Sequence, residues 1–176
     1  MVAEQTPARG RAPRISVALC TRNGAEHVEQ QVRSILAQVP APAELIVGDD
    51  VWNDDTIAVI ERAIAAMRDA DPGRELHVDI IRRVPALGVV GNFEATLAAC
   101  RGELIALSDQ DDVWHAGRLA ALAALFDADD ELLLAHSDAR LVDGDGAPLG
   151  LSLLEALEAP PAERAGLEHG DGFSML

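Results

Sequence analysis

The stretch GELIALSDQDDVWH, Gly102–His115, places an apolar run of strand length directly before three carboxylates. Asp109, Asp111 and Asp112 fall within four residues, where like charges repel one another. Asp109 and Asp111 alternate at the strand end, so both side chains can point into one cleft as the chain leaves the sheet. The pattern therefore indicates a site in which something positive stands opposite these carboxylates.

On both sides of this stretch, apolar segments of strand length alternate with amphipathic helices along the chain. Continuous apolar strands between helices with one apolar face indicate an α/β fold whose mostly parallel sheet is covered on both faces. The predicted strands are Ile15–Cys20, Glu44–Asp50, Leu76–Arg83, Glu103–Asp109 and Leu132–Asp138. The predicted helices carry Val28–Leu36, Ile57–Met67, Phe93–Cys100 and Leu119–Phe126, followed by a hairpin with a tight turn at Asp143–Gly146 and a short helix around Ser152–Leu157.

Polar residues follow three of these strands at the point where each strand ends. They are Thr21–Asn23, Asp49–Asp50 and Asp109–Asp112. Ligands of parallel sheets bind beyond the carboxyl ends of the strands, so we expect the three groups to form one site. A carboxylate such as Asp50 can accept hydrogen bonds there from the imide N–H of a pyrimidine or from ribose hydroxyls.

The carboxylates after the fourth predicted strand have the chemistry of a hard-metal site. Oxygen ligands suit Mg²⁺ or Mn²⁺, and no His or Cys stands beside Asp109 and Asp111 to favour zinc. Mg²⁺ is usually held by one or two carboxylates together with substrate phosphates, so the arrangement predicts a diphosphate ligand. The alternative is that Asp111 and Asp112 cap a helix beginning near Trp114.

A second alternative comes from DQDDV, which also fits the DxDx(T/V) pattern of haloacid-dehalogenase-like phosphatases. Those enzymes use the first Asp as nucleophile and need a downstream lysine. All 14 basic residues of this chain are arginine. The absence of lysine disfavours that reading, and it also excludes Walker-type phosphate binding and Schiff-base chemistry.

The overall charge limits the partners. A formal net charge of −16 argues against nucleic acid and anionic membranes, because both repel a polyanion. No apolar run approaches the length of a membrane span, and residues 1–13 have the composition of a disordered leader without an apolar core. Cys20 and Cys100 are expected to be free thiols in a reducing compartment, which predicts a cytoplasmic protein.

Five segments, in this order, resemble the family 2 glycosyltransferases of the GT-A fold, especially rhamnosyltransferase-like bacterial members. They are VALCTRNG, ELIVGDD, LGVVGNFE, GELIALSDQDDVW and HSDARLVDGDGAPLG. The resemblance runs from Ile15 to Leu176. It implies a Rossmann-like three-layer αβα sandwich, with residues 14–176 forming one nucleotide-sugar-binding domain whose acceptor half is incomplete.

The resemblance also implies a reaction and its ligands. Such enzymes transfer a sugar, here rhamnose by similarity, from a dTDP- or UDP-sugar to an acceptor hydroxyl on a glycan or lipid-linked acceptor, with inversion and with Mg²⁺ or Mn²⁺. Partners would hold the protein at the inner face of the membrane. By similarity, Asp111 ligates the metal, and Asp109 faces the metal or the ribose. Thr21 and Asn23 line the nucleotide pocket, and Asp50 with Asp49 binds the base. Asn92 lies near the nucleotide or the sugar.

The sequence departs from the family pattern at several positions. Arg22 replaces an aromatic residue, Val51 and Trp52 replace small residues, and Gly91 stands where arginine is common. The catalytic general base is unassigned, because the similarity places it beyond Leu176. The alternative function is therefore a truncated or degenerate module that binds a nucleotide sugar or a partner without catalysis.

Overall fold

The computed structural model describes residues 14–50 and 53–158. The predicted leader, Val51 and Trp52, and the chain from residue 159 onward lie outside the described residues. The chain divides into two compact units at Leu132/Leu133, and each is described by itself. Among the described residues, no helix is both long and apolar enough to cross a bilayer.

The first unit is a four-stranded parallel sheet with helices in the connections. The sheet order is β3-β2-β1-β4, and every pairing is parallel. This confirms the α/β fold and the four strands predicted for this part of the chain. The elements are β1 (Ile15–Thr21), α1 (Val28–Leu36), β2 (Glu44–Asp50), α2 (Thr56–Ala70), β3 (His77–Arg83), α3 (Gly88–Leu97), β4 (Leu104–Asp109) and α4 (Arg118–Ala128).

The main core lies on one face of this sheet. Every residue of β1 and β2 is buried, as expected for central strands covered on both sides. Alternate side chains such as Val17, Leu19, Leu45 and Val47 join one apolar cluster with α1, α2 and α4. Full burial of each such side chain contributes roughly 1.5–3 kcal/mol, so these central strands anchor the unit.

Helix α3 packs on the opposite face, close to the end of β2. A Cβ atom at Gly48 would lie 2.0 Å from Thr96 Oγ1 and 2.6 Å from Asn92 Oδ1. Only glycine lets α3 approach the strand this closely. With α1, α2 and α4 on the other face, the unit has the predicted three layers.

The second unit contains the predicted hairpin. Strands β5 (Arg140–Val142) and β6 (Pro148–Ser152) pair antiparallel, and α5 (Leu153–Ala156) follows. In the turn, the Asp143 carboxylate accepts hydrogen bonds from the backbone N–H groups of Asp145 (3.0 Å) and Ala147 (2.8 Å). The hairpin, its turn and the short helix are confirmed.

The fifth predicted strand, Leu132–Asp138, is wrong. Residues 132–139 have no regular secondary structure. A strand needs a neighbour to complete its hydrogen-bond ladder, and no strand within the described ranges pairs with this segment. Leu133 and Leu134 are 91% and 74% exposed, so the apolar run that suggested a buried strand is not buried here.

Candidate functional site

A cavity of about 190 Å³ opens at the carboxyl ends of β1, β2 and β4. Strand ends supply polar groups to its wall, and α3 adds an apolar side with Val89 and Phe93. A larger hollow of about 580 Å³ lies where β1 and β3 begin, around Arg14, Arg74 and His77. We assign the site to the smaller cavity, because ligands of parallel α/β sheets bind at the carboxyl ends of strands.

Five of the seven predicted site residues line this cavity: Thr21, Asp50, Asn92, Asp109 and Asp111. The other two lie beside it. Asp49 is fully buried on the opposite face of β2 from Asp50, because neighbouring strand residues point to opposite faces. Asn23 is exposed in a left-handed conformation (φ 50°), where its Oδ1 accepts a hydrogen bond from Asn53 N at 3.1 Å.

The carboxylates after β4 disfavour one another's charge. Partial desolvation raises the pKa of Asp109, and the charges of Asp112 and Asp111 raise it further. Partial desolvation and the charge of Asp111 likewise raise the pKa of Asp112, and the charge of Arg118 partly opposes this rise. Such a cluster gains stability from a bound cation.

The donor set in the cavity fits Mg²⁺ or Mn²⁺. Asp109 and Asp111 offer hard oxygen ligands on a common wall. Burial raises the pKa of the neighbouring Cys20 thiol, which disfavours the thiolate a soft metal would need. Among residues 14–50 and 53–158, no group of three or more His, Cys, Asp or Glu side chains could hold a metal. Two carboxylates leave the remaining coordination positions to water or phosphate oxygens.

The alternative reading of Asp112 as a helix cap is wrong. Helix α4 begins at Arg118, with Gly117 in the N-cap position and no side-chain cap. Asp112 lies five residues before that cap, in the irregular segment between β4 and α4.

Asp50 binds the beginning of α3. Its Oδ1 accepts a hydrogen bond from Leu87 N at 2.6 Å, and its Oδ2 accepts one from Gly88 N at 2.8 Å. Each carboxylate oxygen has a further lone pair, so Asp50 can still accept from a ligand. Its predicted contact with a base stays a prediction.

Asp49 is an acid enclosed below the site. Its Oδ1 accepts a 2.7 Å hydrogen bond from Thr21 Oγ1, and within the described part of the chain its buried Oδ2 has no partner. Burial raises the pKa of this carboxyl, against the lowering effect of the Thr21 bond. Asp49 thus fixes Thr21 at the cavity wall, and its predicted contact with a base stays a prediction.

Asn92 bridges α3, β2 and β3 from inside the site. Its Nδ2 donates to Gly48 O at 2.8 Å, and its Oδ1 accepts from Arg83 Nε at 3.0 Å. Arg83 also reaches Thr96 Oγ1 at 3.4 Å. The sequence did not single out Arg83, because nothing local in LHVDIIRR distinguishes the arginine that turns toward α3.

Gln110 is a second residue that the sequence did not single out. It lies between the two predicted metal ligands and accepts a 2.7 Å hydrogen bond from Arg22 N, while its Nε2 donates to Arg22 O at 3.2 Å. A Cβ atom at Gly24 would lie 2.3 Å from Gln110 Oε1. The end of β4 is therefore tied to the loop after β1.

Asp54 and Thr56 hold the same loop from the other side. Asp54 Oδ2 accepts from Ala25 N at 3.0 Å, and Thr56 Oγ1 accepts from Gly24 N at 2.8 Å. The N-cap position of α2 is Asp55. Asp54 nevertheless binds Thr56 N at 3.1 Å in the first turn.

Solved structures share this fold at low sequence identity. A mannosyltransferase from Pyrobaculum calidifontis, solved with GDP-Man and Mn²⁺, is 23% identical with a TM-score of 0.56, over 78% of this chain and 38% of that one. S. aureus TarS, solved with UDP, is 23% identical with a TM-score of 0.55, over 65% of this chain and 32% of its own. The predicted GT-A fold is confirmed.

Curated relatives match at slightly higher sequence identity. A Nostoc sp. protein described as an uncharacterised glycosyltransferase is 28% identical over 133 residues, which are 75% of this chain and 38% of that protein. An uncharacterised Mycobacterium tuberculosis protein is 28% identical over 135 residues, covering 76% and 37%. The chain thus spans less than two-fifths of the length of these relatives.

The family model described as glycosyl transferase family 2 matches residues 16–161. That span contains all of the four-stranded sheet except Ile15, together with the cavity and the acidic residues Asp109–Asp112. This chain therefore belongs to glycosyl transferase family 2.

Proposed function

We propose that this domain binds a nucleotide-diphosphate sugar together with Mg²⁺ or Mn²⁺, as the donor-binding part of a glycosyltransferase. The observation that carries the proposal is that Asp109 and Asp111 line one cavity with the ends of β1 and β2 and with α3. The whole protein would transfer the sugar to an acceptor hydroxyl of a glycan or lipid-linked acceptor, with inversion. By similarity the donor is a dTDP- or UDP-sugar and the sugar is rhamnose.

Asp111 and Asp109 would hold the metal. When bound, the ion supplies positive charge to the departing nucleoside diphosphate. The protein's part is to place two carboxylates on one wall before the diphosphate arrives. The solved relatives that bind UDP, or GDP-Man with Mn²⁺, support a donor of this class.

The remaining predicted residues would bind the nucleotide. Thr21, held by Asp49, and Asn92, held by Gly48 and Arg83, present fixed polar groups at the cavity. Asn23 would extend this wall at the loop after β1. The cavity of about 190 Å³ is smaller than the roughly 300–1,000 Å³ of most small-molecule sites, so it accommodates part of the donor.

The proposed location is the cytoplasm, at the inner face of the membrane through partners. The net charge of −16 supports the partner-mediated route, because an acidic protein is repelled by anionic lipids. Fractionation of cells that express the protein tests this location. We expect the membrane-bound fraction to remain bound when vesicles of anionic lipid are added as a competitor. Release by these vesicles would show direct lipid binding and would contradict the proposal.

Calorimetric titration with UDP and with dTDP, in Mn²⁺ and in EDTA, tests the donor proposal. We expect nucleotide binding that requires Mn²⁺ and that Asp111→Asn abolishes. The matched control is Asp127→Asn, an exposed acid on α4, which should bind as the native chain does. If neither UDP nor dTDP binds, the proposal is contradicted and a non-catalytic module that binds a partner is favoured.

A further inference from the structure

The segment between β4 and α4 carries the predicted metal ligand Asp111 but has little structure of its own. Residues 110–117 form no helix or strand. Their backbone N–H and C=O groups therefore need partners from elsewhere in the fold. Like charges at 109, 111 and 112 would also push an unanchored segment apart.

Those partners come from one face of α1. Gln31, Ser34 and Gln38 are spaced by three and four residues, so they lie on the same side of the helix and its end. We call them the α1 polar face. Gln31 is fully buried and Gln38 is 2% exposed. Buried amides are costly unless they are hydrogen-bonded, so their presence here requires specific partners.

Gln31 binds the segment immediately after Asp111. With its amide oriented to satisfy its neighbours, Nε2 donates to Asp112 O at 2.5 Å, and Oε1 accepts from Trp114 Nε1 at 3.1 Å. The same oxygen accepts from Ser108 Oγ at 2.5 Å, and Ser108 is the strand residue just before Asp109. One side chain thus contacts both sides of the acidic cluster.

Ser34 and Gln38 continue the same row of contacts. Ser34 Oγ accepts from Trp114 N at 2.9 Å. Gln38 Nε2 donates to His115 O at 2.9 Å, and its Oε1 accepts from Leu119 N at 3.1 Å. The row therefore runs from the acidic cluster to the first turn of α4.

We propose that Gln31, with Ser34 and Gln38, positions the backbone around Asp111 so that the two metal-binding carboxylates share one cavity. The inference rests on the metal site of the proposed function. Asp111 has a tethered neighbour on each side, since Gln110 is bound to Arg22 and Asp112 to Gln31. Gln31, Ser34 and Gln38 are positioning residues, since none of them lines the cavity.

Binding of Mn²⁺ alone, followed by the electron paramagnetic resonance signal of the free ion, tests the inference without any nucleotide. The variant is Gln31→Met, which keeps the side-chain length and removes every hydrogen bond. Loss of contacts that orient metal ligands typically weakens affinity by roughly 10–100-fold, and we expect a loss in that range. The matched control is Gln30→Met, at the adjacent exposed position, with an expected change of about twofold or less.

A purely structural role would lower the thermal midpoint of Gln31→Met and leave its Mn²⁺ affinity unchanged well below that midpoint. Native-like affinity in the folded variant, verified by circular dichroism, would overturn the inference and leave the proposed function standing. If Gln31→Met does not fold, Ser34→Ala decides by the same measurement, with a several-fold loss expected and native affinity as the contrary result. Failure of the native chain to bind Mn²⁺ would overturn both the inference and the metal site of the proposed function.

Discussion

The side chain of Gln110 makes two hydrogen bonds to the backbone of Arg22, one from N–H at 2.7 Å and one to C=O at 3.2 Å. This pair of hydrogen bonds joins the end of β4 to the loop after β1. The predicted metal ligands and the predicted nucleotide-binding loop are therefore mechanically connected. The connection explains why an amide stands between two carboxylates in SDQDD.

This link predicts non-additive destabilisation by Gly24→Ala and Gln110→Ala. A Cβ at Gly24 would displace the Gln110 amide, so each substitution breaks the same contact. Each single change should cost about 0.5–1.5 kcal/mol of unfolding free energy, and the double variant should cost little more than one of them. Urea unfolding measures these values. Gly73→Ala, with its nearest atom at 3.8 Å, is the control, and fully additive losses would contradict the link.

The approach of α3 to β2 predicts that Gly48→Ala is strongly destabilising. The added methyl would meet Thr96 Oγ1 and Asn92 Oδ1, both held by hydrogen bonds. Overpacking of this kind costs about 1–3 kcal/mol, and it should also weaken nucleotide binding, because Asn92 lines the cavity. Thermal unfolding compares it with Gly144→Ala, where the added methyl has open space. An unchanged midpoint would show that α3 can move away at no cost.

Much of this fold could be predicted because its central strands obey local rules. The bounds predicted for β2, Glu44–Asp50, are those observed, since a strand buried on both faces has an apolar centre, here Leu45–Val47, which charged residues flank. Helix α3 begins at Gly88, earlier than the predicted Phe93. Its start is held by Asp50, a distant residue in sequence, so no local signal marks it.

The site was predictable to the extent that strand ends define it. The carboxylates at the ends of β2 and β4 could be assigned to one edge of the sheet from the topology alone. The contacts of Gln110, Arg83 and Gln31 could not, because each depends on which distant backbone group the side chain meets. The Leu132–Asp138 strand failed for the same reason, since its identity depends on a partner and not on its own composition.

The contacts of Glu44, a residue far from the cavity, predict that the stability of the fold depends on pH. It is a buried carboxylate at the start of β2 that accepts hydrogen bonds from Ser16 Oγ and from Arg101 N (2.8 Å). Burial alone would raise its pKa, but the bond from Ser16 and then the one from Arg101 hold the pKa below the usual value.

A lowered pKa in the folded state means that the ionised Glu44 stabilises the fold above the unfolded-state pKa, about 4.3. That contribution disappears as the pH falls through the folded-state value. The difference in unfolding free energy between the native chain and Glu44→Gln should therefore be larger at pH 7 than at pH 3. Exposed Glu61→Gln is the control. Equal differences at the two pH values would refute the assignment.

Cys100 should be nearly inert to alkylation in the folded protein. Burial raises the pKa of its thiol to about 11, and the charge of Glu44 adds to the effect. At pH 8 only about one thiol in a thousand is then the reactive thiolate. Mass spectrometry after iodoacetamide treatment should show slow labelling of Cys100 in the folded chain and fast labelling in urea. Rapid labelling of the folded chain at this position would be the contrary result.

The most direct test of the account is where Mn²⁺ binds on this acidic chain. Paramagnetic broadening of backbone amide signals, recorded during titration with substoichiometric Mn²⁺, locates the ion. The account predicts that broadening is centred on Asp109–Asp111 and on Arg22, which Gln110 holds beside them, and that Asp111→Asn removes it. Broadening centred instead on the exposed acids of 127–131, with residues 109–111 unaffected, would contradict the central claim.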